Sequence, residues 1–559
     1  MNKMDKKMLK VTYNNTETKE FVEGTTFLEI SEAFKNNFKY DIVVAKADND
    51  IVDLSDILTK KCDVEFYDRS SSLGNSIYLA SASFMLTLAV KSVLGEDVNV
   101  ITKNSLNWGI CFYTDETITK SIVNKIEEEM INISASDYRF VKMSVSRIDA
   151  MKYFKKRKQM DKVKLLKYIS NTYVNLYRVN DIYDYFYTKM AYSTKAINEF
   201  KVTYIDDHHF VLLVPDFYNP EKTLDYKHYK KVYDEFINVD NFGKSIGISN
   251  ASDLNDWVSN ARTRELITLA ETYYDNQLAK TAADICKVPG KYKVIFLAGP
   301  SSSGKTTTAN KLKNYIKIHG INAYNISTDD YFVSKDHIPK DLYNENEYDY
   351  DSIKALDVEL FNSHLKSLLE GKKVDIPVYN FIKQKREYHN NFLKLEEDDV
   401  VIVEGIHALN EAMCASIDQD KVYKIFLSPL THLNIDDHNY IHTTDLRKLR
   451  RITRDSRTRG HNAADTLSMW RKVFLNEQTA IYPHQDEVNM VINSSLLYEI
   501  GVLKTYVEPL LFNIHEESPV YPEALRLINF LRNFLPIPSD DIPNDSVIRE
   551  FIGGSCFKE

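Results

Sequence analysis

Cysteine is scarce in this chain of 559 residues, and its five cysteines lie far apart. They are Cys62, Cys111, Cys286, Cys414 and Cys556. No two of them form a CxxC pair, which excludes a zinc ribbon, and their spacing provides no disulfide framework. We therefore expect reduced thiols and a cytoplasmic location.

Long hydrophobic runs are also lacking. The longest uncharged apolar stretch, residues 77–90 (IYLASASFMLTLAV), falls short of the roughly 20 residues that span a bilayer. It predicts a buried helix. The charged start, MNKMDKKMLK, has no apolar segment behind it and predicts no signal peptide. We expect no membrane partner.

An excess of positive charge is missing as well. The net charge of −9 argues against a surface devoted to nucleic acid, although a local basic patch remains compatible with it. One such stretch is KYFKKRKQMDKVKLLK, residues 152–167, which predicts a basic helix. It has two interpretations, a solvated helix face or an RNA-facing surface.

What is present divides into several units, because 559 residues are too many for one core. Residues 1–69 read as a hairpin, a helix capped by Thr25 and further strands, and residues 70–218 read as a second α+β unit. Residues 219–290 predict a helical connector. Strands and helices alternate in residues 291–559, which predicts a mostly parallel sheet flanked by helices, so the fold class is multidomain α/β.

Although glycine is rare, with 16 residues in all, two glycines frame the motif GPSSSGKT. This GxxxxGK[ST] pattern follows the apolar run VIFLA and precedes a helix, as a phosphate-binding loop requires. Lys305 would neutralise the β- and γ-phosphates of ATP, and Thr306 would ligate Mg²⁺. The predicted ATP-binding residues are Gly299, Pro300, Ser301, Ser302, Ser303, Gly304, Lys305, Thr306 and Thr307.

Two carboxylates follow predicted strands of the same sheet. Asp329 comes directly after AYNIST, and Glu404 ends the apolar run VVIVEG. Because a carboxylate at this edge can accept a proton or hold a metal, Asp329, Glu404 and Thr306 are the predicted Mg²⁺ ligands. The alternative for each acid is a turn or helix cap.

Arginines crowd the stretch LRKLRRITRDSRTRGHN. Guanidinium groups spaced three and four apart share a helix face, and they would close over a transferring phosphoryl group as a lid. A solvated basic helix or an RNA patch is the alternative. The arginines are Arg447, Arg450, Arg451, Arg454, Arg457 and Arg459.

Six motifs in order resemble the uridine kinase and phosphoribulokinase family of P-loop kinases, from residue 291 to about residue 512. They are GPSSSGKTTT, TDDYF, YDYDSIKALD, PVYNF, DVVIVEGIHAL and RRITRDSRTRG. The resemblance implies catalysis by Asp329, with Lys305, Arg454 and Arg459 on the phosphates. Gln384 and His461 stand where animal-type relatives have a base-reading histidine and a lid arginine. The implied nucleoside-binding residues are Asp351, Tyr379, Phe381, Gln384 and Arg451.

The front half has a second resemblance. Residues 8–68 look like a TGS domain of the β-grasp type, and residues 70 to about 215 look like the editing domain that follows it in threonyl-tRNA synthetases. The positions of the editing ligands are lost, so the resemblance implies a fold kept without its hydrolytic site. Those positions hold Ala80, Phe84, Phe186 and Met190. The pair His208-His209 predicts a strand end instead of a metal site.

Taken together, the sequence predicts an ATP-dependent, Mg²⁺-dependent kinase acting on the 5′-hydroxyl of a uridine-like or cytidine-like nucleoside. Two alternatives stay open: a sugar or sugar-phosphate kinase, and a nucleotide-switched RNA-binding regulator. The partners expected are the nucleoside and, through the N-terminal module, RNA. The sequence also admits a homo-oligomer.

Overall fold

A computed structural model describes residues 7–334, 337, 343–344, 347–348, 352–381, 383–415 and 417–557. The first unit is a mixed sheet in the order β2-β1-β5-β3-β4, in which β1 and β5 are parallel. Thr26, and not the predicted Thr25, caps its helix through a reciprocal bond with Glu29, while Thr25 donates to Val22 O. Its elements are β1 (Met8–Tyr13), β2 (Glu17–Val22), α1 (Phe27–Glu32), β3 (Ile42–Ala47), β4 (Asp50–Val52) and β5 (Cys62–Asp68).

The second unit packs a long apolar helix against two antiparallel sheets, ordered β11-β12-β7-β6 and β10-β9-β8. Helix α2 is long and apolar enough to cross a membrane by length and composition, yet most of its side chains are buried within the protein. This is the buried helix expected from residues 77–90. The elements are α2 (Ser72–Leu94), β6 (Val100–Leu106), β7 (Gly109–Thr114), α3 (Lys120–Ala135), β8 (Val141–Ser146), α4 (Arg147–Lys156), α5 (Met160–Lys167), β9 (Tyr173–Val179), β10 (Ile182–Tyr185), β11 (Lys201–Tyr204) and β12 (His209–Leu213).

The basic stretch at residues 152–167 is two helices, and the prediction of one was wrong. Lys158, with φ of 60°, separates α4 from α5. On α5, Lys162 is fully buried and pairs with Asp184 at 2.9 Å and Asp436 at 3.1 Å. Lys164 and Lys167 pair with Asp253 and Asp256 of the connector. Much of the charge of α5 is therefore already neutralised within the chain.

Three helices connect this unit to the next: α6 (Lys230–Ser245), α7 (Ala251–Ser259) and α8 (Thr263–Cys286). The last of them packs along the helix that follows the glycine-rich loop. Tyr274 of α8 lies 2.6 Å from the hydroxyl of Thr308, and both side chains are buried. The connector is thereby part of the core beneath the loop.

The final unit contains a wholly parallel sheet in the order β14-β21-β13-β22-β23, which confirms the predicted parallel architecture. Since carboxyl ends of parallel strands share an edge, the segments after β13, β14, β21 and β23 meet there. The strands are β13 (Val294–Ala298), β14 (Ala323–Ser327), β15 (Tyr343–Asn344), β16 (Glu347–Tyr348), β17 (Val374–Asp375), β18 (Val378–Asn380), β19 (Lys385–Glu387), β20 (Phe392–Leu393), β21 (Val400–Gly405), β22 (Val422–Ser428) and β23 (Met490–Asn493).

Helices cover this sheet, and those at the C-terminus share its core. Buried Phe530, Val547 and Ile548 belong to the same hydrophobic cluster as Ile295 of β13. The helices are α9 (Lys305–Ile318), α10 (Val358–Leu369), α11 (Glu411–Cys414), α12 (Thr443–Arg454), α13 (Ala463–Ala480), α14 (Glu499–Phe512), α15 (Tyr521–Leu531) and α16 (Arg549–Ile552).

Candidate active site

The loop at residues 299–306 joins β13, the central strand, to α9. Gly304 is the N-cap of α9 with φ of 85°, a conformation that favours glycine. At Gly299, a Cβ atom would lie 2.1 Å from the carbonyl oxygen of Leu427, so only glycine permits this approach of the loop to β22. The first N–H groups of α9 therefore point into the space above the sheet edge, as a phosphate site requires.

Two buried arginines of α12 hold the backbone of this loop. Arg447 Nε donates to the carbonyl oxygen of Ser301 at 3.0 Å, and Arg450 donates to that of Ser302 at 3.3 Å. Both guanidinium groups are nearly inaccessible to solvent, and Arg450 pairs with Glu499 at 2.8 Å. These two arginines support the loop from below and do not belong to a lid, which corrects the expectation that all six share one exposed face.

Lys305 folds back onto its own loop. Its Nζ donates to the carbonyl oxygens of Gly299 at 3.0 Å and Pro300 at 3.2 Å. Burial lowers the pKa of Lys305, while the negative charges of Glu404 and Asp329 raise it. The ammonium group thus lies between the loop carbonyls and the two predicted carboxylates, where a phosphate can be neutralised.

Glu404 ends β21 next to the loop, and the hydroxyl of Thr306 donates to its Oε1 at 3.3 Å. Burial, together with the charges of Asp329 and Glu550, raises the pKa of Glu404 to about 7 against the attraction of Lys305. A divalent cation would relieve this repulsion. Mg²⁺ prefers oxygen ligands and keeps several waters, so the Thr306 hydroxyl and the Glu404 carboxylate fit Mg²⁺ held partly by phosphate and water.

The two aspartates of TDDYF have different surroundings. Asp329 lies at the wall of the cleft, where loss of hydration raises its pKa and the charges of Lys305, Arg459 and Arg454 lower it. Asp330 accepts the backbone N–H of Tyr379 at 3.2 Å, and burial raises its pKa to about 6. Asp329 is thus the acid directed to the cationic groups, and Asp330 fixes the start of β18.

Arg451, Arg454 and Arg459 gather around one buried acid, Asp455, at the junction of α12 and a following π-helical turn. Arg451 also donates to the hydroxyl of Ser301 at 2.9 Å. Mutual repulsion, chiefly from Arg454, lowers the pKa of Arg459 to about 10. The sequence reasoning did not single out Asp455, although its position four residues from both Arg451 and Arg459 on a helix was a signal.

The predicted base pocket lies beside the turn that holds Asp330, which accepts the N–H of Tyr379. Phe332 contacts the rings of Tyr379 and Phe381 at centroid distances of 5.4 and 6.0 Å. Tyr379 is buried, Phe381 is 54% exposed, and Gln384 stands in the turn between β18 and β19 with φ of 51°. The exposed ring of Phe381 can therefore meet a ligand. The predicted ribose ligand Asp351 lies outside the described residues.

Two further acids at the loop were missed in the sequence. Glu477 of α13 accepts the N–H of Ser301 at 2.8 Å and pairs with Arg447. Glu550 of α16 accepts the hydroxyl of Thr307 at 2.8 Å. Both lie more than 170 residues along the chain from the loop, and no local pattern in the sequence marks them.

Comparison with known proteins agrees with a phosphate-binding site at the carboxyl edge of the parallel sheet. The model of the "Phosphoribulokinase / Uridine kinase family" matches residues 294–498. Uridine kinases of Staphylococcus aureus strains JH9 and Newman are each 30% identical over 180 residues, which is 32% of this chain and 76% of each relative. The chain belongs to the phosphoribulokinase/uridine kinase family.

Solved structures of other proteins also align with part of this chain. A protein described as a possible uridine kinase from Bacillus stearothermophilus aligns at 15% identity and a TM-score of 0.27, over 39% of this chain and 98% of that one. D-glycerate 3-kinase from Cryptococcus neoformans aligns at 14% identity and a TM-score of 0.24, over 49% and 89%. The family assignment rests on the sequence matches, and it implies a nucleoside triphosphate as the phosphoryl donor.

Proposed function

We propose that this protein transfers the γ-phosphoryl group of ATP to the 5′-hydroxyl of a nucleoside of the uridine or cytidine type. The observation that carries the proposal is the position of the turn that holds Asp329 and Asp330. Asp329 interacts with the charges of Lys305 and of the arginines that follow Leu449, while Asp330 accepts the N–H of Tyr379 in β18. A general base at this point can take the proton of a nucleoside bound against the aromatic residues while ATP is bound at the loop.

On the donor side, the loop amides and the first turn of α9 would bind the phosphates, with Gly299, Pro300 and residues 301–307 as the contact segment. The hydroxyls of Ser302 and Ser303 are buried without a hydrogen-bond partner in the described part of the chain, which suits a polar ligand. When ATP binds, Lys305 Nζ would donate to phosphate oxygens in place of the carbonyl oxygens of Gly299 and Pro300. Thr306, Glu404 and Asp329 would hold Mg²⁺, which supplies positive charge to the phosphates.

On the acceptor side, Asp329 would take the proton of the 5′-hydroxyl. Its raised pKa brings it closer to the range useful for a general base, and nearby Arg454 and Arg459 would stabilise charge on the moving phosphoryl group. Closure of these arginines over the site would also exclude water, which would otherwise hydrolyse ATP.

The acceptor class follows from the residues after β18. A flat base can pack against the exposed ring of Phe381 beside Tyr379, and Gln384 can both donate and accept at a base edge. We assign the ribose to Asp351 and Arg451 as the family resemblance implies. A sugar phosphate, the main alternative, gains nothing from aromatic side chains and would favour added basic groups.

For the front half, we propose a TGS-like β-grasp unit and an editing-like unit without hydrolytic ligands. The order β2-β1-β5-β3-β4 with its parallel β1/β5 pair supports the first, and the burial of Phe84, Phe186 and Met190 supports the second. An RNA contact through this module and a homo-oligomer stay predictions. The ion pairs of α5 leave fewer free lysines for RNA than the sequence suggested.

A substrate panel tests the proposal. The full chain is incubated with ATP, Mg²⁺ and, separately, uridine, cytidine, adenosine, guanosine, ribose 5-phosphate and ribulose 5-phosphate, and products are identified by mass spectrometry. We expect a nucleoside 5′-monophosphate, and its absence from Lys305→Met serves as the control. A phosphorylated sugar as the sole product would replace the proposal with the sugar-kinase alternative.

A further inference from the structure

The C-terminal segment at residues 545–553 lies against the start of α9, although it is outside the family-matched residues 294–498. The side-chain hydroxyl of Thr307 donates to Glu550 Oε2 at 2.8 Å, and the backbone N–H of Thr307 donates to the same oxygen at 3.3 Å. This N–H belongs to the first turn of α9, whose donors have no partner within the helix. An acid of the chain itself therefore occupies the positive end of the phosphate-binding helix.

A carboxylate and a phosphate oxygen are acceptors for the same donors, and both are favoured at a helix N-terminus. We propose that Glu550 is a built-in competitor of the nucleotide: in the nucleotide-free protein its carboxylate holds Thr307 in place of a phosphate, and ATP must displace it. This inference rests on the nucleotide site of the proposed function. It makes the affinity for nucleotide depend on a residue outside the glycine-rich loop.

The segment that carries Glu550 is anchored firmly. Lys311 of α9 pairs with Asp545 at 3.0 Å, Ser546 donates to Glu271 of α8 at 2.6 Å, and Arg457 donates to the carbonyl oxygen of Phe551 at 2.7 Å. Val547, Ile548 and Ile552 of the same segment are buried in the core that also contains apolar side chains of α12. Displacement by a nucleotide therefore requires a rotation of the Glu550 side chain and not the release of the segment.

The charges around Glu550 act in the same direction. Its negative charge adds to those of Glu404, Asp329 and Glu477 around Lys305, so four acids act on the place where phosphates would bind. An incoming polyphosphate must overcome this repulsion as well as the loss of the two hydrogen bonds from Thr307. Removal of the carboxylate removes both obstacles.

Binding of N-methylanthraniloyl-ATP with Mg²⁺, followed by fluorescence, tests the proposal on the full chain without requiring turnover. Glu550→Ala should bind about tenfold more tightly than wild type, the effect of removing one competing charge-assisted hydrogen bond. Glu550→Gln should lie between the two, because its amide oxygen still accepts from Thr307. The control is Glu517→Gln, the same change at a side chain that is 90% exposed in the loop before α15.

Equal or weaker binding by Glu550→Ala would overturn the proposal while leaving the nucleotide site intact, provided that wild type binds. If Glu550→Ala fails to fold, Glu550→Gln decides, and a Kd no lower than that of Glu517→Gln contradicts the competitor role. Absence of binding by every variant and by wild type would instead remove the nucleotide site, and the proposed function with it.

Discussion

Two pockets of this chain differ in what fills them. Beside the glycine-rich loop, burial raises the pKa values of Asp329 and Glu404, and the negative charge of Asp329 adds to the shift at Glu404. That cleft holds buried negative charge that a metal ion would stabilise. In the second unit, the positions that resemble editing ligands contribute to a hydrophobic core instead.

The second pocket is filled from both sides. The rings of Phe84 and Phe186 lie 5.4 Å apart, and the hydroxyl of Ser81 approaches the sulfur of Met190 at 3.5 Å. Tyr440, from the loop before α12, packs into the same cluster. A small cavity of about 30 Å³ lies beside Ala80, Phe186 and Tyr440. Buried charge thus characterises the cleft beside the loop, and hydrophobic packing characterises the second pocket.

The largest expected effect separates the two aspartates of the first pocket. Asp329→Asn should lower kcat by roughly 10²–10⁴, the usual contribution of one acid/base group. Steady-state kinetics with the nucleoside identified by the substrate panel will measure it. Asp330→Asn is the matched control. Its side-chain oxygen still accepts the N–H of Tyr379, and Asp330 is not the proposed base, so any effect should appear in KM through the base pocket and not in kcat. A kcat unaffected by Asp329→Asn would show that the base is elsewhere.

In the second pocket, the expected loss is in stability. Phe84→Ala should destabilise the second unit by about 3–5 kcal/mol, the usual cost of emptying a buried aromatic site. Hydrogen exchange of α2 amides reports this locally, which suits a chain of several units. The affinity for nucleotide should not change. If it does, the loop that carries Tyr440 couples the two pockets, and the contrast between them is incomplete.

A smaller effect should appear in the pH dependence of stability. The folded state raises the pKa of Glu404 from 4.5 to about 7, so it favours the protonated form more than the unfolded chain does. The cost of ionising Glu404 is absent below about pH 4.5 and complete above about pH 7.

Without Mg²⁺, Glu404→Gln should therefore melt a few degrees above wild type at alkaline pH, with a smaller difference under mildly acidic conditions. Thermal unfolding at several pH values measures this. Glu411→Gln, an exposed acid at the start of α11, provides the control. A constant difference across pH would mean that Glu404 is not strained by its neighbours.

Short-range sequence patterns predicted three features of the fold correctly. The motif GPSSSGKT with its flanking strand and helix, the parallel sheet and the buried helix α2 were predicted because short-range spacing encodes them. The cap of α1 was misplaced by one residue, since both Thr25 and Thr26 have a suitable hydroxyl. The helix at residues 152–167 was predicted unbroken, because nothing in the composition announced the left-handed conformation of Lys158.

The arginine stretch at residues 447–459 shows more clearly what short-range patterns could not predict. Its sequence offered six similar guanidinium groups, and burial separated them: Arg447 and Arg450 support the loop, whereas Arg459 remains half exposed at the cleft. Which face of α12 meets the core depends on α13, α14 and the C-terminal segment. That information is spread over more than a hundred residues.

The sequence by itself determined the phosphate-binding loop, the acids at the ends of β14 and β21, and the family, because each is written in contiguous residues. The tertiary structure alone decided that Glu477 and Glu550 reach the loop and the first turn of α9, that Glu499 pairs with Arg450 beneath the loop, and that Tyr440 helps to close the second pocket. Such contacts join residues far apart in the chain. They depend on how whole elements pack, and no short stretch of sequence records that.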